Sequence, residues 1–495
     1  MKREDYAIIL NKKDNVAIAK RDYNEVKSGD RFALEDVPEN QYLYQYGYPF
    51  AKSLGIKQDE LISLKNTTND IPKFNRNDFV EPQLTNLVKK YQDKTFLGYK
   101  RKDGKVGTRN YIAIIPTSMC ASEVSNQIAK VFDVPEFIDK YPNVDGVVSL
   151  AHTEGCGCGA GNQIERTMQI LKGFALHPNV FAAVFIDLGC EQTSYDVMSQ
   201  YINQHIKTST SRINWLTIQK NGGTAKTINK AVSIVEDFLK EANSCMREDA
   251  SISNLVLGTE CGASDRFSGI TANPLIGDLA DKIIYANGKA ILSEIPEMLG
   301  VYDMFFKRFA SAEVADKFQA AIDWYLDIAK KLDVDISNNL VPANVQGGLI
   351  NSYIKSLGAV MKGGSTRIED VINYGESANK RGLSIMQGPG NDLESITGLI
   401  SSGANMIGFS TGYGTITGSA IVPVIKISSN TKTFNDLDED IDFNAGRLLN
   451  DEYLDVLSDE LLEKTIKIAT GKEQSWPEKW KQRQFQIWTA GKLTL

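Results

Sequence analysis

The chain has 495 residues, of which 42% are hydrophobic and 24% charged, so it is ordinary for a globular protein. Its length predicts about three domains. The formal net charge of −7 gives no basic footprint of the kind found in nucleic-acid-binding proteins, so we do not expect nucleic acid as a partner. No stretch approaches the roughly 20 apolar residues of a membrane span, and residues 1–6 lack the apolar core of a signal peptide. Six cysteines over this length do not resemble a secreted disulfide framework, so we expect a reduced, cytoplasmic compartment.

Residues 1–70 differ in pattern from the rest of the chain. Short apolar runs at 6–10, 16–19, 31–34 and 61–64 are separated by Asn, Asp, Gly and Pro, which predicts a small β domain. Residues 71–96 are polar and predict a linker with one helix at most.

From Asn110 onward, apolar strands and amphipathic helices alternate. Predicted strands lie at 111–115, 146–151, 180–188, 213–218, 254–258, 290–294, 383–387, 405–409 and 421–427. This alternation is typical of parallel, doubly wound sheets. We predict an α/β fold with a first α/β domain at 97–248, a second at 249–446 with a helical insertion near 303–333, and a helical tail at 447–495.

The glycine-rich stretch at 152–162 contains the highest density of candidate functional side chains. It follows the apolar strand that ends near Ala151 and precedes a helix whose Ile164, Met168 and Leu171 share one face. Such a turn forms a crevice at the carboxyl end of a strand, where open α/β sheets bind ligands. Its glycines allow backbone N–H groups to converge on an anion at a helix N-terminus.

Seven stretches resemble the altronate/galactarate dehydratase family of sugar-acid dehydratases. They include ECGASDRFSGITANP at 260–274 and GPGNDLES at 388–395, and the others lie at 98–111, 151–159, 187–191, 293–297 and 412–418. The resemblance spans about 97–447. It implies two Rossmann-like α/β lobes and a hydro-lyase, with an altronate-type hexonate as the first substrate candidate and galactarate as the second.

The N-terminal part is similar to the SAF (β-clip) domain of that family but departs from it at the imidazole positions. Asp30 stands where the family usually has a histidine, and the later His-x-His-Asn stretch falls on Ser63, Leu64, Lys65 and Asn66. Any metal-binding or proton-transfer role of those imidazoles in relatives would be vacant or reassigned in this chain. Tyr413 stands where many relatives have arginine, which could alter recognition of the substrate carboxylate.

Dehydration of a sugar acid removes the proton α to the carboxylate and expels the β-hydroxyl, so the site needs a base, an acid and a cation or donors for the enolate. The product enol would tautomerise to a 2-keto-3-deoxy acid. We predict as catalytic residues His152, Glu154, Glu191 and Asp392. The predicted metal ligands are Cys156, Cys190, Glu260 and Glu294. The residues predicted to bind substrate are Arg109, Asn110, Gly155, Gly157, Asp265 and Lys426.

Oxygen ligands suit Mg²⁺ or Mn²⁺, whereas added imidazole or thiolate favours Fe²⁺, so Fe²⁺ or Mn²⁺ is expected ahead of Mg²⁺. Each assignment has a structural alternative. Histidines and cysteines are often structural, Arg109 and Lys426 could be ordinary charges, and Glu294 and Glu297 could cap a helix. We expect His177 and His205 to be structural.

Two rival functions remain open from the sequence. One is an iron–sulfur dehydratase that uses Cys120, Cys156 and Cys190, although the chain lacks a tight multi-cysteine run. The other is a sugar-acid-binding regulatory protein without turnover, suggested by the absent SAF histidines. We expect a small-molecule sugar acid as partner, without nucleic acid or membrane, and a homo-oligomer remains open.

Overall fold

The computed structural model describes residues 5–23, 25–71, 90–157, 161–205, 212–301, 303–336 and 340–490. In these ranges, no helix is long and apolar enough to cross a bilayer. The helix allowed for within residues 71–96 falls mostly on 72–89, outside the described residues.

The N-terminal part forms two three-stranded antiparallel sheets, with strand orders β1-β2-β3 and β4-β5-β6. Their strands are β1 (Ala7–Ile8), β2 (Val16–Ala19), β3 (Arg31–Ala33), β4 (Tyr42–Gln45), β5 (Tyr48–Ser53) and β6 (Thr67–Thr68). The apolar run at 61–64 does not form a strand, since only Leu61 pairs, as an isolated bridge to Phe32. The assignment of this part as a SAF domain stays a prediction.

A further antiparallel sheet, with strand order β13-β7-β8, joins residues that the sequence placed in different segments. Its strands are β7 (Thr95–Lys100), β8 (Val106–Gly107) and β13 (Glu248–Ser251). β7 pairs with β13 from Thr95 to Gly98, so this strand begins inside the predicted linker.

The first lobe is a four-stranded parallel sheet with strand order β10-β9-β11-β12. Its strands are β9 (Tyr111–Pro116), β10 (Gly146–Ser149), β11 (Val180–Asp187) and β12 (Ile213–Thr217), and its helices are α1 (Met119–Val131), α2 (Phe137–Lys140), α3 (Asn162–Ala175), α4 (Tyr195–His205) and α5 (Thr224–Asn243). All eight residues of β11 are buried, as expected for a strand covered by helices on both faces.

The second lobe is a seven-stranded parallel sheet with strand order β16-β17-β15-β14-β18-β19-β20. Its strands are β14 (Val256–Gly262), β15 (Lys289–Leu292), β16 (Ile368–Ile372), β17 (Gly382–Met386), β18 (Met406–Thr411), β19 (Val424–Ser428) and β20 (Phe443–Asn444). The chain leaves β14 toward β15 on one side and returns as β18 on the other. This reversal creates the crevice in which α/β sheets bind ligands.

Ten helices accompany the second sheet in the described part of the chain. They are α6 (Ala272–Tyr285), α7 (Ile295–Met298), α8 (Asp303–Phe306), α9 (Ala312–Lys331), α10 (Pro342–Gln346), α11 (Ser352–Ala359), α12 (Asp392–Ser401), α13 (Thr431–Asp436), α14 (Leu454–Thr470) and α15 (Trp476–Lys479), with 3₁₀ turns at Ile252–Asn254, Val360–Gly363 and Ala445–Asn450. The predicted insertion is helical, and it continues through α11.

The two lobes share a hydrophobic core. Ile164 and Met168 of α3 belong to the same buried cluster as Ile396 and Leu399 of α12. α3 follows the glycine-rich turn of the first lobe, and α12 follows the 388–391 turn of the second, so this packing sets two ligand-binding edges side by side. The predicted α/β class with parallel sheets is confirmed, whereas the predicted domain boundaries and the Rossmann-like label stay predictions.

Candidate active site

A buried cluster of charged side chains lies at the carboxyl edge of the second sheet. Glu260 and Cys261 come from the end of β14, and Glu294 lies two residues after the end of β15. Glu294 has a left-handed backbone with φ of 70°. Non-glycine residues adopt this conformation at a cost of about 1–3 kcal/mol, and such residues concentrate at functional sites. We call this set, with Glu297, Lys355, Lys362 and Asp392, the acidic cluster.

Two ammonium groups bind acidic members of the cluster. Lys362 Nζ donates to Cys261 Sγ at 2.7 Å and forms an ion pair with Glu294. Lys355 Nζ lies 2.8 Å from Glu297 Oε1. Since Lys362 is 1% exposed, its charge is confined to the cluster. The acidic groups of Glu260, Cys261, Glu294, Glu297 and Asp392 therefore outnumber the ammonium groups by five to two.

Burial, together with this excess of acidic groups, raises several pKa values in the cluster. Burial and the charge of Glu294 raise the pKa of Glu260 well above its usual range. Burial raises the pKa of Glu294 to about 7, although Lys362 opposes the shift. The thiol of Cys261 also has a raised pKa, because it is buried beside the Glu294 and Glu297 carboxylates. Glu297 alone has a lowered pKa, since the Lys355 and Lys362 charges outweigh its burial. The cluster can therefore hold protons near neutral pH.

Asp392 is the half-buried member of the cluster, at the first residue of α12. Its carboxylate packs against Gly262, where an added Cβ would lie 2.3 Å from Asp392 Oδ2. Burial and the nearby charge of Glu297 raise its pKa to about 6. A carboxylate with this pKa can accept a proton and release it again near neutral pH.

The donor atoms of Cys261, Glu294 and Glu297 all lie within 4.8 Å of one another, and they are the one group of three or more such donors within this distance in the described ranges. This geometry is compatible with a divalent cation. The shortage of positive charge around these donors also fits such an ion. Cys261 and Glu297 complete a donor set of which the predicted ligands contained only Glu294.

The glycine-rich turn of the first lobe packs against the loop after β9. Gly155 has φ of 88°, and a Cβ there would lie 2.5 Å from the carbonyl oxygen of Thr117. Only glycine fits this approach without strain. Gly157 also has a positive φ, of 63°. Cys158 belongs to 158–160, outside the described residues.

Glu191 organises the loop after β11. Its carboxylate accepts hydrogen bonds from the backbone N–H groups of Leu188, Gly189 and Cys190 at 2.7–2.9 Å. The hydroxyls of Thr117 and Ser118 also donate to it, at 2.9 and 3.2 Å. Burial would raise the pKa of Glu191, but these hydrogen bonds outweigh it and lower the pKa. A carboxylate saturated in this way positions the loops after β9 and β11 rather than exchanging protons.

His152 is fixed by the backbone on both ring nitrogens. Its Nδ1 accepts from the Glu154 N–H at 3.1 Å, so Nε2 carries the proton and donates to the Pro116 carbonyl at 2.8 Å. This ring therefore shapes the turn that presents Glu154. His177 makes the same pair of contacts, with Asn179 and Ala404, as expected for a structural histidine.

The two ligand-binding edges meet through their acidic residues. Glu154 is 4% exposed, and its charge, after burial, raises the pKa of Glu394 in the first turn of α12. Asp392 and Glu394 stand two residues apart, with Asp392 beside the acidic cluster and Glu394 near the first lobe. The predicted residues Glu154, Glu260, Glu294 and Asp392 thus gather along one inter-lobe region.

The predicted metal ligands Cys156 and Cys190 do not join Glu260 and Glu294. They follow β10 and β11 of the first sheet, together with Cys120 at the start of α1. Burial and contact with the Cys156 thiol raise the pKa of Cys120, so these two sulfurs face each other. The first lobe therefore presents three thiols at the carboxyl ends of three adjacent strands.

Arg109 and Asn110 lie at the opposite edge of the first sheet, because they precede β9 rather than follow it. Six strand residues at about 3.3 Å each separate them from the glycine-rich turn. Arg109 is 2% exposed and binds the Glu478 carboxylate with Nε and Nη2, at 2.6 and 2.9 Å. Asn110 Nδ2 donates to the carbonyls of Asn143 and Ala242. Both residues are thus structural, and the carboxylate that Arg109 binds is the chain's own.

Arg109→Lys is expected to lower the free energy of unfolding by about 1–3 kcal/mol, because an ammonium cannot reproduce the bidentate contact. Denaturant titration would measure the loss, with Lys105→Arg at an exposed position as the control. Values of KM for substrate should be unchanged, and a rise of tenfold or more in KM would restore Arg109 to the substrate site.

Asp265 and Lys426 also lie away from the cluster contacts. Asp265 ties the loop after β14 to the loop after β19, since it accepts from Ser429 Oγ at 2.7 Å and Asn430 Nδ2 at 3.1 Å. Lys426 sits in mid-strand, where burial lowers its pKa to about 8 and Gln482 Oε1 lies 3.4 Å from Nζ. Phe409 stands between Lys426 and Glu260 in the sheet.

The residues at the SAF imidazole positions have two different surroundings. Asp30 accepts from Arg266 Nη1 at 2.6 Å and so anchors the N-terminal part to the second lobe. Ser63, Lys65 and Asn66 instead line a cavity of about 730 Å³ whose wall includes Tyr6 and Tyr23. This cavity belongs to the N-terminal part and is separate from the acidic cluster.

Comparison with known proteins identifies the family. Residues 98–243 match the family profile "D-galactarate dehydratase/Altronate hydrolase, second domain", and residues 252–493 match "D-galactarate/Altronate dehydratase, C-terminal". The chain belongs to the D-galactarate/altronate dehydratase family. The predicted resemblance is thereby confirmed, as is the predicted enzyme class, a hydro-lyase.

Relatives of known name align over nearly the whole chain. An altronate dehydratase of Bacillus subtilis (strain 168) is 31% identical, covering 94% of this chain and 95% of that protein. An altronate dehydratase of Escherichia coli (strain K12) is 29% identical, with coverages of 93% and 90%. A galactarate dehydratase (L-threo-forming) of the same organism is 30% identical, with coverages of 96% and 95%.

The sequence did not indicate Lys355 and Lys362. Both lie on a helical segment rather than after a strand, and Lys362 contacts Cys261 and Glu294 across 101 and 68 residues of chain. The one available signal was a lysine within the apolar periodicity of Ile354, Leu357 and Val360, directly before two glycines.

Proposed function

We propose that this protein dehydrates a sugar acid to a 2-keto-3-deoxy acid. An altronate-type hexonate is the first substrate candidate, and galactarate is the second. The observation that carries the proposal is the acidic cluster at the switch point of the second sheet, with half-buried Asp392 at its edge. The names of the relatives support the substrate class.

In the proposed reaction the Asp392 carboxylate accepts the proton from the carbon α to the substrate carboxylate. Its pKa of about 6 keeps it ionised at pH 7 while leaving it basic enough for this task. Glu394, whose pKa is raised, supplies the proton that leaves with the β-hydroxyl as water. The charges of Lys355 and Lys362 stabilise negative charge that develops beside the cluster.

We further propose that Cys261, Glu294 and Glu297 hold a divalent cation, Fe²⁺ or Mn²⁺ ahead of Mg²⁺. When bound, the cation supplies Lewis-acid stabilisation of the enolate charge. Its binding would require Lys362 to leave Cys261, since the ammonium contacts the sulfur that would hold the ion.

Binding of Mn²⁺ is expected to release about one to two protons per ion at pH 7, because ligands must be deprotonated and the pKa values of Cys261 and Glu294 are raised. The affinity should therefore increase with pH. Calorimetry in buffers of different ionisation enthalpy would count the protons. Cys261→Ser should weaken Mn²⁺ binding at least about tenfold, and binding without proton release would contradict the proposed site.

A turnover assay tests the proposed reaction. Anaerobic protein is incubated with Mn²⁺ or Fe²⁺ and with altronate or galactarate, and the keto-acid product is measured by mass spectrometry. Product formation from either acid is expected. A ligand-induced rise in the unfolding temperature without any product would instead favour the regulatory binding protein.

The three thiols of the first lobe give the iron–sulfur alternative a specific basis, because Cys120, Cys156 and Cys190 follow three adjacent strands. The visible spectrum of anaerobically purified protein separates the two cases. A cluster absorbs broadly in the visible range, whereas a mononuclear ion at Cys261, Glu294 and Glu297 hardly absorbs there.

A further inference from the structure

Arg166 lies at the contact between the two lobes, in the second turn of α3. Three aromatic rings surround its guanidinium, with Cζ 4.2 Å from the centroid of Trp488, 4.9 Å from Trp324 and 5.9 Å from Tyr374. These rings come from the C-terminal segment, from α9 and from the loop after β16. We call them the aromatic box. Tyr325, which stacks on Trp488 at 5.7 Å between ring centroids, supports it from behind.

Among the described residues, no carboxylate pairs with this guanidinium. Within the described ranges Arg166 has no ion pair, and its polar contact is Nη2 to the Gln387 side chain at 3.3 Å. Its Nη1 is buried without a hydrogen-bond partner in the same part of the structure. Burial lowers the pKa of Arg166, yet an arginine stays protonated. A half-buried cation whose Nη1 is removed from water is costly unless an anion completes it.

A second hydrogen-bond donor lies one helical turn before Arg166. Gln163 stands three residues before Arg166, on the same face of α3, and its Nε2 is likewise buried without a partner among the described residues. These two side chains occupy the first turns of a 14-residue helix, whose N-terminal dipole also favours negative charge.

The 387–392 segment connects the surroundings of Arg166 and Gln163 to the acidic cluster. Gln387 is followed by Gly388, whose carbonyl accepts from the Ile295 N–H at 3.2 Å and from Tyr325 Oη at 2.8 Å. Ile295 is the neighbour of Glu294. The segment that begins at Gln387, beside Arg166, ends at Asp392, beside the cluster.

We propose that Arg166, assisted by Gln163, binds the carboxylate of the sugar acid, and that the aromatic box holds the guanidinium ready for it. This inference rests on the proposed dehydratase function and deepens it, because it names the residue that distinguishes an acid from an uncharged sugar. The flat guanidinium fork can bind a carboxylate in bidentate fashion. A carboxylate held there lies at the start of the 387–392 segment, which ends at Asp392.

The test compares the affinities of altronate and of altritol, its uncharged polyol counterpart, measured by calorimetry in an Asp392→Asn background that prevents turnover. Arg166→Gln is expected to weaken altronate binding about 10- to 100-fold while changing altritol binding less than about threefold. Arg166→Lys should fall between, since it keeps the charge and loses the fork. Equal weakening of both probes, or unchanged altronate binding, would overturn the proposal and leave Arg166 a packing residue.

Lys172→Gln is the matched control. Lys172 is a buried cation of the same helix, whose Nζ lies 5.4 Å from the Tyr201 ring centroid and donates to Gln169 Oε1 at 2.8 Å. Its replacement should leave both affinities unchanged. If Arg166→Gln does not fold, Gln163→Leu gives a second test, with an expected loss of about three- to tenfold for altronate alone. Absence of altronate binding in the parent protein would count against the dehydratase function itself, which separates the two failures.

Discussion

Asp392→Asn is expected to lower kcat about 10²- to 10⁴-fold, with little change in KM, because it removes the proposed base and preserves the shape of the side chain. The parent enzyme should show kcat/KM rising with pH through about 6, the pKa of Asp392, since the base must be ionised to accept the α-proton. In Asp392→Asn this rise should disappear. Steady-state kinetics between pH 5 and 8 would measure both effects.

Asp455→Asn provides the control for that substitution. Asp455 occupies the first turn of α14 as Asp392 occupies the first turn of α12, so both lose a similar interaction with a helix N-terminus. Only Asp392 contacts the acidic cluster. Equal activities of the two variants, or a pH profile that survives in Asp392→Asn, would remove Asp392 from the reaction.

Lys362→Met is expected to lower the free energy of unfolding of the second lobe by about 3–5 kcal/mol at pH 8, because it leaves the buried Glu294 carboxylate and the Cys261 thiol without their partner. Turnover should also be lost. The fluorescence of Trp324 and Trp488, which pack at this lobe, would report the transition during denaturant titration.

The loss of stability in Lys362→Met should be larger at pH 8 than at pH 5. Glu294 has a folded pKa of about 7 against 4.5 in an unfolded chain, so the folded lobe retains its proton where the unfolded lobe has released it. Such a group stabilises the fold fully below about pH 4.5 and loses this contribution as pH rises toward 7. Without Lys362 the carboxylate is harder to ionise, so the variant should be less destabilised at pH 5 than at pH 8.

Lys282→Met is the matched control for this prediction. Lys282 is 4% exposed and pairs with Asp459 at 2.6 Å and Asp278 at 3.3 Å, away from the cluster. Its loss should destabilise the protein without the same pH dependence and without abolishing turnover. A destabilisation of Lys362→Met that is equal at pH 5 and pH 8 would contradict the account of Glu294.

The site residues that lie near the carboxyl ends of strands could be predicted from the sequence. Parallel strands end at one edge of a sheet, so a carboxylate directly after an apolar run indicates an edge position, as for Glu260, Glu294 and Asp392. The same reasoning placed Glu154 and Glu191 at the edge of the first sheet. It could not show that the Glu191 carboxylate is saturated by local N–H groups, because that depends on the exact turn.

The remainder depends on contacts between distant segments. Arg109 looked available for a substrate because its partner Glu478 lies 369 residues further along the chain. Lys362 and Arg166 sit on helices, and only packing brings them to Glu294 and Gln387. Cys156 and Cys190 were grouped with Glu260 and Glu294 because alternating β-α units give no indication of which sheet edge a residue joins. The contacts of these residues therefore depend on the topology of the two lobes, which the local sequence pattern does not reveal.

The most direct test is a crystal structure of Asp392→Asn with Mn²⁺ and altronate. We predict the ion at Cys261, Glu294 and Glu297, the substrate along the 387–392 segment, and its carboxylate on Arg166. Altronate bound instead in the N-terminal cavity beside Tyr6 and Lys65, or a metal held only by the first-lobe thiols, would contradict the account.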